Sequence, residues 1–407
     1  MTQDTSNPAT PTAEFIYDTS NPWGWSTYDN KGRLSVQMSV LGTTGIAGSA
    51  YSYDSVGRVA HLGQCSPVDC GWGGWDYSSV TYNLLGEITS YNHPYAFTIG
   101  QSYDVAGQLS QITSSASDSD HPGTLATINS YFAPGEIQKI TLGNGLTQSS
   151  RYDSRQQPCR LNINSTATVV SSCTGSAPSG NIQDFQYGFN YGSSDNGNVA
   201  SWNGSGQQAF TRSYTYDNLN RLSSLSDSTS GNPCPGLTWT YDAWGNRTDQ
   251  TITSGSCGAW HSTVSTSNRI ASVGSTTYTY DAVGNLTYDG THHYYYNAEN
   301  QLIQVDGTLG TCSTAAACYV YDPQGHRAEK LIGTTATEYI YDLEGHLGVD
   351  VNWTCSSSCT ISSSWNGAYL YMNGDLFAEY TPLSTRYIFG RPPGVNTLSD
   401  RYERFCS

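Results

Sequence analysis

Apolar and polar positions alternate in short runs along nearly the whole chain, and the runs end in the same kind of break. Ser213-Tyr-Thr-Tyr-Asp217 and Thr277-Tyr-Thr-Tyr-Asp281 show the pattern: every second residue is aromatic, and an aspartate closes the run. A period of two sends successive side chains to opposite faces of an extended strand, so these runs predict half-buried β-strands. The breaks themselves recur. Tyr-Asp-x-x-Gly-(Arg/Asn/His/Gln)-(Leu/Val/Arg) stands at Tyr28–Leu34, Tyr53–Val59, Tyr103–Leu109, Tyr241–Arg247, Tyr280–Leu286, Tyr321–Arg327 and Tyr341–Leu347. Looser copies open at Tyr82, Tyr131, Tyr152, Tyr216, Tyr296 and Tyr371. The opening tyrosines are most often about 20 to 30 residues apart, which leaves room for two or three short strands per unit.

The unit makes physical sense as a hairpin. Tyr ends a strand and packs its ring on one face of the sheet. Asp starts the turn, where its carboxylate can accept backbone N–H groups two or three residues on. Gly takes the left-handed conformation that closes a four-residue loop around a type I turn, and Asn220 and Asn300 replace it where it is missing. On this reading Asp54 and Gly57, Asp104 and Gly107, Asp242 and Gly245, Asp281 and Gly284, Asp322 and Gly325, and Asp342 and Gly345 are structural turn residues. The Arg, Asn or His that follows points outward, and Leu or Val restarts the buried face.

Composition agrees with strands and turns. The chain of 407 residues has 31 Tyr, 42 Gly and only 3 Met, and it lacks the Ala/Leu/Glu/Lys runs of a helical protein. The net charge of −16 and the absence of a basic run exclude nucleic acid and anionic membrane as expected partners. No segment approaches the roughly 18 apolar residues of a membrane span. The start, Met1-Thr-Gln-Asp, carries neither part of a signal peptide, so export is signalled elsewhere or the frame begins inside a larger protein. Ten of the eleven cysteines fall into local pairs: Cys65/Cys70, Cys159/Cys173, Cys234/Cys257, Cys312/Cys318 and Cys355/Cys359, with Cys406 left over. Each pair brackets a Ser/Gly/Pro/Thr-rich loop, where a disulfide would staple a hairpin end, and this points to an oxidising, extracytoplasmic compartment. Free thiols and zinc are the alternatives, but the spacings do not form a Cys-x2-Cys … Cys-x2-Cys set.

The tandem Tyr-Asp-x-x-Gly-Arg-Leu units resemble those of the Rhs or YD-repeat proteins, over about Tyr28 to Gly390. The resemblance implies an all-β fold, a curled or spiralling antiparallel sheet of tandem hairpins that forms a shell, as in polymorphic toxins, insecticidal toxin complexes, wall-associated proteins and teneurins. It also implies a partner: the rest of a larger Rhs-type protein, or a toxin or effector cargo. The domains expected are a partly disordered lead at 1–27, the repeat array at 28–390 and a divergent tail at 391–407. In toxin members the repeats run into a core segment with a self-cleaving aspartate and then a toxin domain. Here Tyr387-Ile-Phe-Gly390 looks like the approach to that core, but the sequence continues as Arg-Pro-Pro-Gly-Val-Asn and ends at Ser407.

Candidate chemistry is sparse. The aspartates that follow tyrosines share one local context, whereas an acid/base pair needs two unlike ones, so they read as turn formers. Calcium between adjacent turns would need six to eight oxygens, more than one Asp per turn supplies. His292 and His293 face opposite ways on a strand and do not make a ligand set by themselves. No nucleophile elbow, phosphate loop or His-Glu-x-x-His is present, and no cofactor or enzyme activity is expected. Trp23, Trp25, Trp72 and Trp75 in Gly-rich loops suggest an alternative function as a carbohydrate-binding or adhesive surface protein, with glycans as partners.

Overall fold

The computed structural model describes residues 10–20, 26–70, 76–93, 97–190, 195–355, 359–361 and 366–389, with the side chains of 76, 77, 355 and 359–361 excepted. Among these residues there is no α-helix, and the one helical turn is the 3-10 segment Cys312–Thr314. The strands form a 21-stranded sheet from Thr12 to Thr277, a two-stranded piece from Thr279 to Tyr288 and a ten-stranded sheet from Tyr294 to Tyr387. All pairings are antiparallel, and nearly every strand pairs with its predecessor and its successor in the chain. Leu347–Cys355 pairs both with the short Cys359–Ile361 and with Gly367–Met372. The fold is therefore the all-β array of tandem hairpins that the period-two pattern demands.

An antiparallel meander returns to the same edge at every second connection. The repeat turns lie between Thr44–Tyr53 and Val59–Cys65, between Asp76–Tyr82 and Ile88–His93, and between Phe97–Tyr103 and Leu109–Ser114. All of these connections fall on one edge of the sheet. The opposite edge carries the longer connections, among them 115–123, 165–180 and 228–235.

The sheet also starts before the first repeat. Thr12–Tyr17 lies inside the stretch 1–27, expected to be a partly disordered lead, and pairs over its whole length with Leu34–Leu41. Ile16 packs there on the small core of Val36, Met38, Val40, Ala50 and Cys65. Ile16 is only partly buried, but packing of one face of an alternating strand is what specifies its register. The tail 391–407 lies outside the described residues.

The larger core joins the two big sheets. Ile99, Ile112, Leu125, Ile140 and Leu161 from the first share one buried cluster with Ile340, Val349, Val351, Leu370 and Tyr380 from the second. Over these strands the apolar faces of the two sheets cover each other, the usual way a one-faced sheet is stabilised. Ile340→Ala is expected to cost about 2–5 kcal/mol, read as a lower midpoint of chemical unfolding, because a fully buried side chain at this interface is removed. Val105→Ala, at an exposed turn tip, should stay within about 0.5 kcal/mol of the parent.

Candidate functional site

Each repeat turn is closed by the same small set of bonds. In the turn at 54–58, Asp54 N–H donates to Arg58 C=O at 2.8 Å and Gly57 N–H donates to Asp54 C=O at 3.0 Å. Asp54 Oδ1 accepts from Val56 N–H at 3.0 Å and from Arg58 N–H at 2.9 Å. Asp104, Asp242, Asp322 and Asp342 repeat this, each Oδ1 taking the N–H groups two and four residues on. The second acceptance is one residue further than expected from the sequence, since the glycine N–H is held by the aspartate's own carbonyl. Asp281 takes all three N–H groups, Gly284 included. Gly57, Gly107, Gly245, Gly284, Gly325 and Gly345 all have positive φ, between 77° and 110°. A side chain there would be strained, which explains the glycine.

The residue after the glycine does not simply point outward. Arg58 Nε donates to Asp54 Oδ2 at 2.7 Å, and its guanidinium lies 4.5 Å from the ring centroid of Tyr82, the tyrosine of the next repeat. Arg221 does the same with Asp217 and Tyr241. His326 stacks on Tyr341 at 4.6 Å and His346 on Tyr371 at 4.5 Å. Successive repeats stand two strand spacings apart, roughly 10 Å, a gap that the Arg and His side chains turned along the sheet bridge.

The tyrosine hydroxyl itself reaches back. Tyr82 Oη–H donates to Val59 C=O at 2.8 Å, Tyr103 to Ile88 at 2.9 Å, Tyr131 to Leu109 at 2.6 Å and Tyr241 to Leu222 at 2.6 Å. Tyr53, Tyr321, Tyr341 and Tyr371 make the equivalent bond to Leu34, Leu302, Arg327 and Leu347. Burial raises the pKa of the phenols of Tyr53, Tyr82, Tyr103, Tyr131, Tyr241, Tyr321 and Tyr341, the last to about 12, so they remain donors throughout the neutral range. Sequence reading placed the ring and missed the hydroxyl; the spacing of one tyrosine per turn was its only signal.

Elsewhere polar side chains join parts of the chain that are far apart in sequence. Gln64 Nε2 donates to Tyr341 C=O at 2.5 Å, and Gln64 Oε1 accepts from Tyr341 N–H. Ser39 Oγ donates to Tyr321 C=O. Beside them a cavity of about 430 Å³ is lined by Tyr51, Leu62, Gln64, His326, Tyr341 and Glu344. Two glutamates meet at the same junction. Glu329 and Glu338 are direct cross-strand partners, 7% and 1% exposed, and lie beside Val68 and Ser66 of the turn that follows Val59–Cys65 in the first sheet. Trp353 Nε1–H donates to Glu338 Oε2 at 3.0 Å. Glu329 Oε2 and Glu338 Oε1 find no hydrogen-bond partner among the described residues. This is a convergence of carboxyls outside the repeat register, which the sequence reading did not find. Its signal was there: the two residues are equidistant from the tight turn at Gly333-Thr334.

Four of the cysteine pairs, Cys65–Cys70, Cys159–Cys173, Cys234–Cys257 and Cys312–Cys318, are disulfides, with Cα separations of 5.0, 5.1, 5.1 and 5.8 Å. Cys355 and Cys359 face each other in strand register, but their side chains and Cys406 lie outside the described residues. Asp69 comes within ligand reach of Cys65 and Cys70, yet those sulfurs are bonded to each other and offer no thiolate to zinc. Next to Cys159, Arg160 forms a buried bidentate pair with Asp184, at 2.8 and 2.9 Å, and donates to the carbonyls of Ser172, Thr174 and Ser176. His292 is paired with Asp306 at 2.8 Å, whereas His293 stacks on Tyr288. Trp23, Trp25, Trp72 and Trp75 lie outside the described residues. Trp244 is 82% exposed at a turn tip, whereas Trp202 is buried and Trp353 is tied to Glu338.

With this geometry in view, the likeness to known proteins is specific. The family model for the teneurin YD-shell matches residues 179–342. The TcdB2–TccC3 crystal structure superposes with a TM-score of 0.67 at 16% identity, over 94% of this chain and 21% of that one. The Photorhabdus luminescens Tc holotoxin pore superposes with a TM-score of 0.68, also at 16% identity, over 94% and 20%. Over 102 residues the chain is 33% identical to the tRNA nuclease WapA of Bacillus subtilis, a quarter of this chain and 4% of that protein. The chain thus spans about a fifth of the solved structures and a small fraction of the curated relatives it matches.

Two substitutions test the contacts described. Tyr241→Phe deletes only the hydroxyl, leaves the Leu222 carbonyl without its donor and is expected to cost about 1–2 kcal/mol in thermal or chemical unfolding. Asp184→Asn leaves the Arg160 guanidinium buried without its counter-charge, so a larger loss of about 3–5 kcal/mol is expected in the same measurement.

Proposed function

We propose that this chain, a YD-repeat protein of the Rhs type, is a non-enzymatic segment of a shell or surface scaffold that, within a longer parent protein, encloses, carries or displays an effector. The observation that carries this reading is how completely the repeat uses its own polar groups. The turn aspartates hold the N–H groups of their own turns, the following cations and imidazoles stack on the next repeat, and the tyrosine hydroxyls are committed to backbone carbonyls. Groups committed in this way build a wall and are not themselves available to turn over a substrate. Supporting it, the solved structures that share the fold cover nearly all of this chain as a minor part of a larger toxin assembly. Disulfides along the array suit a secreted or cell-surface setting.

Among the described residues, Thr12–Tyr17 pairs only with Leu34–Leu41 and exposes Phe15 and Tyr17. An edge of that kind accepts a further strand. Expressed alone, the chain is therefore expected to self-associate in size-exclusion chromatography with light scattering and to bind an apolar dye. It should leave tRNA intact and retain no sugar on a glycan array. A dye-silent monomer would count against the wall segment, tRNA cleavage would overturn the non-enzymatic reading, and glycan capture would favour the adhesive alternative.

A further inference from the structure

The two large sheets meet at two points through titratable side chains. The first is His121, on the connection 115–123 of the first sheet and 8% exposed. Its Nδ1 faces Asp118 Oδ1 at 2.9 Å, and its Nε2 faces the carbonyl of Thr381, on the last hairpin of the second sheet, also at 2.9 Å. A backbone carbonyl and an ionised carboxylate can only accept. A neutral imidazole has a single N–H and satisfies one of them; the imidazolium satisfies both. Around this bridge the same hairpin is docked by bonds that do not titrate near neutral pH: Thr385 N–H to Asp120 C=O, Tyr380 Oη–H to Pro122 C=O and Tyr387 Oη–H to Leu125 C=O. The charged and titratable groups that face His121 are Asp118 and Asp120 on its own loop and Tyr380 across the junction, whose ring lies 5.0 Å away. On the hairpin, Glu379 and Arg386 pair with each other at 3.7 Å.

The second point is the Glu329–Glu338 pair. Directly opposed residues of an antiparallel pair hold their Cβ atoms about 5 Å apart, so two buried carboxylates at these positions repel each other unless a proton lies between them or on one of them. Their neighbours supply no cation. Trp353 donates one N–H, Ser66 and Val68 present neutral groups, and Asp69 accepts from Ser66 N–H within its own turn. Lys330, next in sequence, projects from the opposite face of the strand.

We propose that the junction of the two sheets is a proton-operated lock, closed under mildly acidic conditions by an imidazolium at His121 and a protonated Glu329–Glu338 pair, and loosened as the pH rises. It is a property of how the fold closes and stands whether or not the chain encloses a cargo. The sign follows from the environments. Burial works against a charge on His121, but the Thr381 carbonyl and the Asp118 carboxylate outweigh it and hold its pKa above the ordinary value of 6.5. Burial first, and then Glu338, push Glu329 from 4.5 up to about 7, and burial raises Glu338 as well. Each group therefore binds its proton more tightly in the folded chain. The stabilisation is complete below the ordinary pKa and is lost as the pH rises through the raised one: between 4.5 and about 7 for Glu329, and above 6.5 for His121. Carboxylates held low, such as Asp118, Asp217 and Asp289, titrate below 3.8 and stay outside this window.

Hydrogen exchange on the intact, oxidised chain between pH 5 and pH 8, corrected for intrinsic rates, tests the lock. Opening of 327–341 and of 376–388 should rise by up to about tenfold per pH unit for each proton released, while the repeat turn at 242–246 stays flat. Glu329→Gln/Glu338→Gln should flatten the response of 327–341 only, and His121→Asn should remove the low-pH protection of 376–388 only. Equal protection at both ends of the range in the parent chain, the same slope in the 242–246 turn, or variants that keep the parent slope would each overturn the proposal. If neither variant folds, the comparison between segments of the parent chain decides it alone.

Discussion

The structure depends on one recurring bond, the hydroxyl of most repeat tyrosines, from Tyr53 to Tyr371, donating to a carbonyl of the repeat before it. Such a bond contributes on the order of 1 kcal/mol. Its importance is geometric. A carbonyl at the start of the returning strand is left by the irregular pairing opposite the tyrosine, as at Tyr53 and Val59, and the next tyrosine is the group that reaches it. The aspartate and glycine set the turn that delivers this carbonyl, and the arginine or histidine covers the ring that carries the hydroxyl. The four conspicuous residues of the repeat thus serve one contact between neighbours, and stability accumulates by nearest-neighbour terms along the array.

Nearest-neighbour terms make a ribbon, and closure needs something else. The long-range connections are chemically different and include an apolar layer in which Ile99, Ile140, Ile340 and Leu370 take part, the Gln64 clamp on the Tyr341 backbone, His121 on Thr381 and the glutamate pair against Ser66 and Val68. The apolar part provides most of the attraction, since burial stabilises by about 25 cal/mol for each Å² removed from water. The polar part sets where the sheets meet, because a buried carbonyl or carboxyl is costly unless its partner is in register. Titratable groups gathered at such a junction make closure sensitive to protons near neutral pH, whereas turn aspartates of the ribbon such as Asp217 and Asp242 titrate below 3.8.

What the repeat could not convey is visible at particular residues. Arg58 was legible as a post-turn polar residue but not as the cover of Tyr82, because its partner belongs to the following turn and its reach depends on sheet spacing. Ile16 pulls a strand out of a stretch without a full repeat, because packing on Val36 and Met38 outweighs the lack of a turn signal. Glu329 and Glu338 needed only the symmetry of their hairpin to be paired, but their burial comes from the first sheet lying over them.

The chain's own order of residues determined the strands, the turns, the antiparallel meander and the local disulfides, since each rests on groups a few residues apart whose geometry is set by backbone dihedrals and side-chain reach. Tertiary structure alone decided which distant segments touch, and so which polar groups became a junction. His121 and Thr381 are 260 residues apart, and Gln64 and Tyr341 are 277 apart. Their meeting depends on twist summed over many strands, a quantity to which every residue adds a little and which no short motif encodes.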